Sequence, residues 1–249
     1  MESNAICGTE SVVAALLEYR KKHPLKTSTF TPYPEVNKLN SEDPFAFLVA
    51  ACIDRGALAE NCWCVPYWLR EKLGHLEAER IAQLSVDELE AILRELPKKP
   101  RYPRQSAETI LDCASQVVQR WNGAASQIWN TTHVRDITAR LQSIRGVGRG
   151  IAHMIVNILI SDGKLRLPDS ELKQIDVKPD IHVQRVFYRT GLAENQDAQS
   201  AINAARIAHR NYPGALDQPA WQIGREYCRP TSPRCGECPL ERSCIKRVS

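Results

Sequence analysis

Cysteine is the residue type whose number and spacing in this chain most directly suggest chemistry. There are nine cysteines, at positions 7, 52, 62, 64, 113, 228, 235, 238 and 244. Four of them, Cys228, Cys235, Cys238 and Cys244, stand at C-x6-C-x2-C-x5-C spacing in one short, proline-bearing stretch. The N-terminal MESNAICGTE has no basic start followed by an apolar run, so no export signal is visible. In a reducing compartment, clustered thiols point to a metal before a disulfide. Zinc and a [4Fe–4S] cluster can each be held by four thiolates. Zinc ribbons usually pair two CxxC knuckles and this stretch has one, so the spacing leans away from zinc. Residues 225–249 carry six Arg or Lys against three Glu, a net +3. A metal loop that fixes arginines in place can form a phosphate-contact surface.

A second signal lies in LQSIRGVGRGIAHMI, residues 141–155. Leu141 and Ile144 close one helix, Ala152 and Ile155 open another, and Gly146-Val147-Gly148 lies between them. The two glycines permit a turn too tight for side chains. Val147 points inward and pins it, and the small Ala152 lets the helices approach. Such a turn presents consecutive backbone N–H groups at a helix start, where free donors and the helix dipole together attract an anion. This is the helix-hairpin-helix pattern, which holds a DNA phosphate without reading sequence. Gly146, Val147, Gly148, Arg149 and Gly150 are its candidate DNA-binding residues.

The elements that must position these residues read as helices. Helical apolar spacing marks Ser11–Lys22, and Asp43-Pro44 opens an almost wholly apolar helix. Further helical segments are Cys62–Lys72, Val86–Glu95 with Ser85 as cap, Ser106–Trp121, Val134–Ile144 and Ile151–Ile160. Ile181–Tyr188, Asp197–His209 and Ala220–Tyr227 complete the set, and His23–Val36 reads as loop. Strand signals are confined to residues 164–177, where a small β-hairpin is expected. The fold class is all-α. With 249 residues, 43% apolar and 25% charged, the chain can bury a real core and is not disordered as a whole. Its longest mostly apolar run, Ile151–Ile160, is about half of what a membrane span needs. The net charge of +4 permits a nucleic-acid partner without requiring one.

Together these segments resemble the helix-hairpin-helix DNA glycosylases of the endonuclease III superfamily, over about residues 44 to 244. Three features carry the resemblance: IRGVGRGIA at 144–152, PDIHVQRV at 179–186, which is similar to that family's catalytic-Asp segment, and the cysteine spacing, which is the family's iron–sulfur spacing. Weaker similarity covers PFAFLVAACIDRGALAENCWCVPYWL at 44–69 and KKPRYPR at 98–104. The resemblance implies two lobes. Residues 43–160 would carry the hairpin; residues 1–42 with 161–249 would hold a [4Fe–4S] cluster on Cys228, Cys235, Cys238 and Cys244 (loop 228–244). Double-stranded DNA with a damaged or mismatched base would lie across the cleft between them. A cytoplasmic monomer is expected.

The resemblance makes Asp180 the catalytic residue. A carboxylate there can stabilise the positive charge that develops on the sugar as an N-glycosidic bond breaks, or orient a water. Family members with lyase activity place a lysine two residues after the second hairpin glycine, and Gly150 stands there. A glycosylase without lyase activity is therefore expected. Lys164 or Lys178 as a substitute amine, and a DNA-binding protein without catalysis, are the alternatives. Near the place where the family often has a glutamine that fills the gap left by a flipped base, this chain has Asp54-Arg55-Gly56. Arg55 can fill that gap, hold a phosphate or be a solvated helix-end charge, and Tyr102 is a candidate wedge or a packed loop aromatic. The 161–178 stretch is about a dozen residues longer than in the usual member. His182 is expected to pack or orient Asp180, and Cys52, Cys62, Cys64 and Cys113 to lie in the core. The sequence ends just after the cysteine loop, without the added recognition domain of adenine-mispair members, which argues against that substrate; a damaged or deaminated pyrimidine is the favoured substrate and a damaged purine the second.

Overall fold

The computed structural model describes residues 2–56 and 58–247, with side chains from Gly8 onward; Cys7 lies outside the described side chains. In chain order the α-helices are α1 (Glu2–Lys22), α2 (Pro34–Glu42), α3 (Pro44–Cys52), α4 (Ala59–Leu73), α5 (Ala78–Ile81), α6 (Val86–Glu95) and α7 (Pro103–Trp121). They continue with α8 (Val134–Gln142), α9 (Arg149–Ser161), α10 (Asp169–Leu172), α11 (Ile181–Thr190), α12 (Ala198–Ala208) and α13 (Asp217–Glu226). No strand occurs among the described residues, and the fold is all-α. None of these helices is long and apolar enough to cross a membrane.

The chain divides into two compact units, residues 26–155 and residues 1–25 with 156–249. In the first, α3 is the central element. Asp43 caps it by accepting from the Phe45 and Ala46 amides at 2.8 and 3.3 Å. Every residue from Phe45 to Cys52 is buried, and each large apolar side chain so placed contributes about 1.5–3 kcal/mol. Phe47 packs edge-on against Trp63 and Trp129. Residues 26–42, which the sequence placed with the other lobe, pack here. Asn40 on α2 donates through Nδ2 to the Trp63 carbonyl at 2.8 Å, a partner 23 positions away that no local pattern reveals. The prolines at 24, 32 and 34 hid α2 in an apparent loop, yet Pro34 sits in its first turn, where proline is tolerated.

In the second unit, α1, α11, α12 and α13 enclose a core that includes Leu16, Val183, Val186, Phe187, Ala205, Leu216 and Ile223. α11 and α13 pack closely at Gly224, where a Cβ would lie 2.7 Å from the Cβ of His182 and 3.0 Å from its carbonyl oxygen. The β-hairpin expected at 164–177 is absent. Residues 169–172 form α10, and the extended stretches on either side spend backbone groups elsewhere. The Leu165 amide bonds the Leu159 carbonyl, and the Ile175 carbonyl takes the Gly214 amide at 2.8 Å. Ile175 and Val177 are apolar because they are buried, not because they alternate in a ladder.

Candidate functional site

Asp180 is the N-cap of α11. Its Oδ1 accepts from the His182 and Val183 amides at 2.8 and 3.0 Å, which fixes the carboxylate's direction. Among the described residues Oδ2 takes no hydrogen bond, and the side chain is partly exposed. One oxygen is thus held by the fold while the other is uncommitted.

The strap leading into Asp180 is held at successive residues. Asn157 Nδ2 donates to the Asp176 carbonyl at 3.3 Å, and the Tyr212 hydroxyl donates to Asn157 Oδ1 at 2.8 Å. Arg206 donates through Nε and Nη2 to the two oxygens of buried Asp176 at 2.7 and 2.8 Å, a bidentate pair. The Lys178 amide donates to Asp217 Oδ1 at 2.7 Å. Burial, then the charge of Asp180, pushes the Asp217 carboxyl up to about 7; the Lys178 amide and the charges of Lys178 and Arg20 oppose the rise. The sequence reading missed Asn157, Arg206 and Asp217. Each contacts the strap from 19 to 39 residues away.

His182 lies against Gly224 with Nδ1 3.0 Å from Arg185 Nη2. Burial, helped by Arg185 and Arg225, holds its imidazole below the usual range, with Asp180 opposing. It is a packed neutral ring beside the cap. Buried Arg185 donates to the Cys228 carbonyl at 2.5 Å and the Gly224 carbonyl at 2.8 Å. One helical turn on, Arg189 donates to the Arg229 and Pro230 carbonyls at 2.6 and 2.9 Å. The helix that starts at Asp180 therefore also anchors the cysteine loop.

Cys228, Cys235, Cys238 and Cys244 line one pocket together with Arg189, Tyr227, Pro233, Glu241 and Lys246. Arg189 Nη1 lies 3.7 Å from Cys228 Sγ, and the Lys246 amide 3.3 Å from Cys244 Sγ. Donors aimed at sulfur are the contacts by which a protein tunes a thiolate-bound cluster. Among the described residues no three His, Cys, Asp or Glu groups converge as a single metal ion requires. Four thiol sulfurs thus border one pocket, a donor set that either zinc or an iron–sulfur cluster can take.

In the other unit, the α8–α9 connection has the form expected from its glycines. Gly146 has φ +81°, Val147 is 5% exposed with its amide on the Ile144 carbonyl, and Gly148 accepts from Ala152. The Arg145 amide donates to Asp112 Oδ2 at 2.7 Å. Arg149 and Gly150 open α9, and Gly150 brings no side chain to that turn. The Arg55 guanidinium turns toward the hairpin. It donates through Nη1 to the Gly146 carbonyl at 2.5 Å and through Nη2 to Thr109 Oγ1 at 2.8 Å. A planar fork serving two acceptors braces the hairpin from behind, 91 residues away in sequence. Tyr102 is 42% exposed, with its ring edge on Gly56 and the Arg101 guanidinium 5.4 Å from its centroid. Cys52, Cys62, Cys64 and Cys113 are fully buried.

No family model matches the chain. It is 23% identical to endonuclease III of Thermotoga maritima over 203 residues, 81% of this chain and 83% of that protein. It is 25% identical to endonuclease III of Bacillus subtilis over 149 residues, 57% of this chain and 56% of that one. Among solved structures it superposes on a non-covalent endonuclease III–DNA complex with TM-score 0.66 at 19% identity, covering 95% of each chain. A thermostable thymine-DNA glycosylase gives 0.62 at 15% identity, covering 96% of this chain and 95% of that one. The hairpin, the capped Asp180 and the cysteine pocket thus stand on a fold shared with endonuclease III and thymine-DNA glycosylase structures, and the chain is similar in sequence to endonuclease III.

Proposed function

We propose that this protein is a DNA glycosylase of base excision repair that hydrolyses the N-glycosidic bond of a flipped damaged or mismatched base and leaves an abasic site. The observation that carries this reading is Asp180, with Oδ1 fixed by two α11 amides and Oδ2 uncommitted. In the proposed reaction the Asp180 side chain faces the sugar as positive charge develops at its anomeric carbon, and orients the attacking water. The Gly146–Gly150 turn binds a backbone phosphate through its amides and fixes the strand's register. Tyr102 is a surface aromatic suited to the gap left by the base. Cys228, Cys235, Cys238 and Cys244 would hold a [4Fe–4S] cluster. Held at these four cysteines, the loop would be tied at four points and its arginines kept in place.

Release without strand cleavage follows from Gly150, which offers no amine where the lyases of this family have one. A panel of lesion-bearing duplexes and single strands, treated with alkali to expose abasic sites, tests the glycosylase reading. Release of at least one base, abolished in Asp180→Asn, is expected. Binding without release from any substrate sinks it. Borohydride trapping on the same DNA tests the rest: no covalent adduct is expected, and an adduct overturns the monofunctional reading.

A further inference from the structure

Asp217 takes no direct part in that reaction, yet its placement is hard to explain as packing alone. It is the first residue of α13 and only 8% exposed. A buried carboxylate is costly, and a second acid beside it raises the cost. The charged and titratable groups that face it are Asp180 and Lys178 from the strap before α11, Arg20 from α1, and Tyr212 from ahead of the 3-10 turn at 213–216. Arg20 is itself held, with Nη2 3.3 Å from Ser161 Oγ and its guanidinium 5.3 Å from the Tyr212 ring centroid. Asp217 Oδ1 takes the Lys178 amide at 2.7 Å, and the Asp180 amide in turn bonds the Lys178 carbonyl at 2.8 Å. The peptide units that set the direction of Asp180 are thus tied to this one carboxylate.

We propose that Asp217 is a positioning residue for Asp180. Its ionised form grips the Lys178 amide through a charge-assisted bond and repels the Asp180 carboxylate toward its uncommitted side; its protonated form does both more weakly. The proposal rests on the reading of Asp180 as the catalytic carboxylate. Burial and the charge of Asp180 place the Asp217 titration near 7, so base release should rise with pH through that range.

The experiment has two arms, both on the full chain. In the first, carbon-13 carboxyl NMR follows Asp217, assigned by its loss in Asp217→Asn. A midpoint near 7 is expected in the wild type, falling by about half a unit or more in Asp180→Asn. A midpoint in the ordinary carboxylate range, or one unmoved by Asp180→Asn, overturns the proposal. This arm needs no substrate, so it decides even if no base is released and the glycosylase reading fails. In the second arm, base release is measured against pH. Asp217→Asn keeps an acceptor for the Lys178 amide but no charge, so it should hold the wild type's low-pH rate across the range and lose the rising limb. Asp217→Ala should lose about tenfold or more. Wild-type rates and pH profiles in both variants overturn the proposal.

Discussion

Replacing Arg55 by alanine separates the bracing contact seen in the structure from the phosphate contact that the sequence left open. In the structure the guanidinium joins α7 to the hairpin: Nη1 reaches the Gly146 carbonyl at 2.5 Å and Nη2 reaches Thr109 Oγ1 at 2.8 Å. Hydrogen bonds from a charged donor contribute about 1.5–3 kcal/mol each when shielded. Arg55 is only partly buried, so the pair together is worth about 2 kcal/mol. Urea unfolding of Arg55→Ala should show that loss, and Arg55→Lys should recover little, since one amine cannot span both acceptors. DNA affinity should fall because the turn is less well held. The slope of log affinity against log salt should not change, because a residue that only braces the turn neutralises no phosphate. Loss of a phosphate contact would reduce that slope by about 0.9. A slope reduced by about one with unchanged stability would place Arg55 on the DNA and refute the bracing role.

Three further outcomes follow from the second unit. Gly224→Ala puts a Cβ 2.7 Å from the His182 Cβ and 3.0 Å from its carbonyl oxygen, and should lower the denaturation midpoint by an amount equal to about 1–3 kcal/mol; an unchanged midpoint would show that α11 and α13 separate freely. Arg189→Met leaves the Arg229 and Pro230 carbonyls without their donor. Iron and sulfide per chain should drop below wild type, and full retention would show that α11 does not anchor the loop. Asp217 has a folded value of about 7, above the unfolded value of about 3.9, so the folded state binds the extra proton. Its contribution favours folding most below about pH 4 and is lost as pH rises toward 7, on the order of 4 kcal/mol over that window. Asp217→Asn should flatten this part of the stability curve, and an identical pH dependence in the two proteins would contradict the buried-carboxylate account.

What could be read from the sequence was whatever is local. Cys228 to Cys244 span one loop, Gly146-Val147-Gly148 is a turn written in three consecutive residues, and Asp180 caps the helix that follows it. The helices announced themselves by apolar spacing, as at α7, where Ile110, Cys113 and Val117 are buried. What could not be read depends on distant partners. Arg55 looked like a free cation because its acceptor is 91 residues away. Asp217 and Asn157 look ordinary until the fold lays the 175–178 strap across them. The same cause produced the false β-hairpin: Leu165, Ile175 and Val177 are apolar for a core contact, and their spacing imitates a strand.

The central claim is that Asp180 supplies the charge that opposes the sugar cation, and Asp180→Asn tests it most directly. Asparagine caps a helix as well as aspartate does, so α11, DNA affinity and thermal midpoint should all be retained. Single-turnover base release on a lesion that the wild type processes should fall by about 10²-fold or more. A folded, DNA-binding Asp180→Asn protein that releases the base at the wild-type rate would contradict the account.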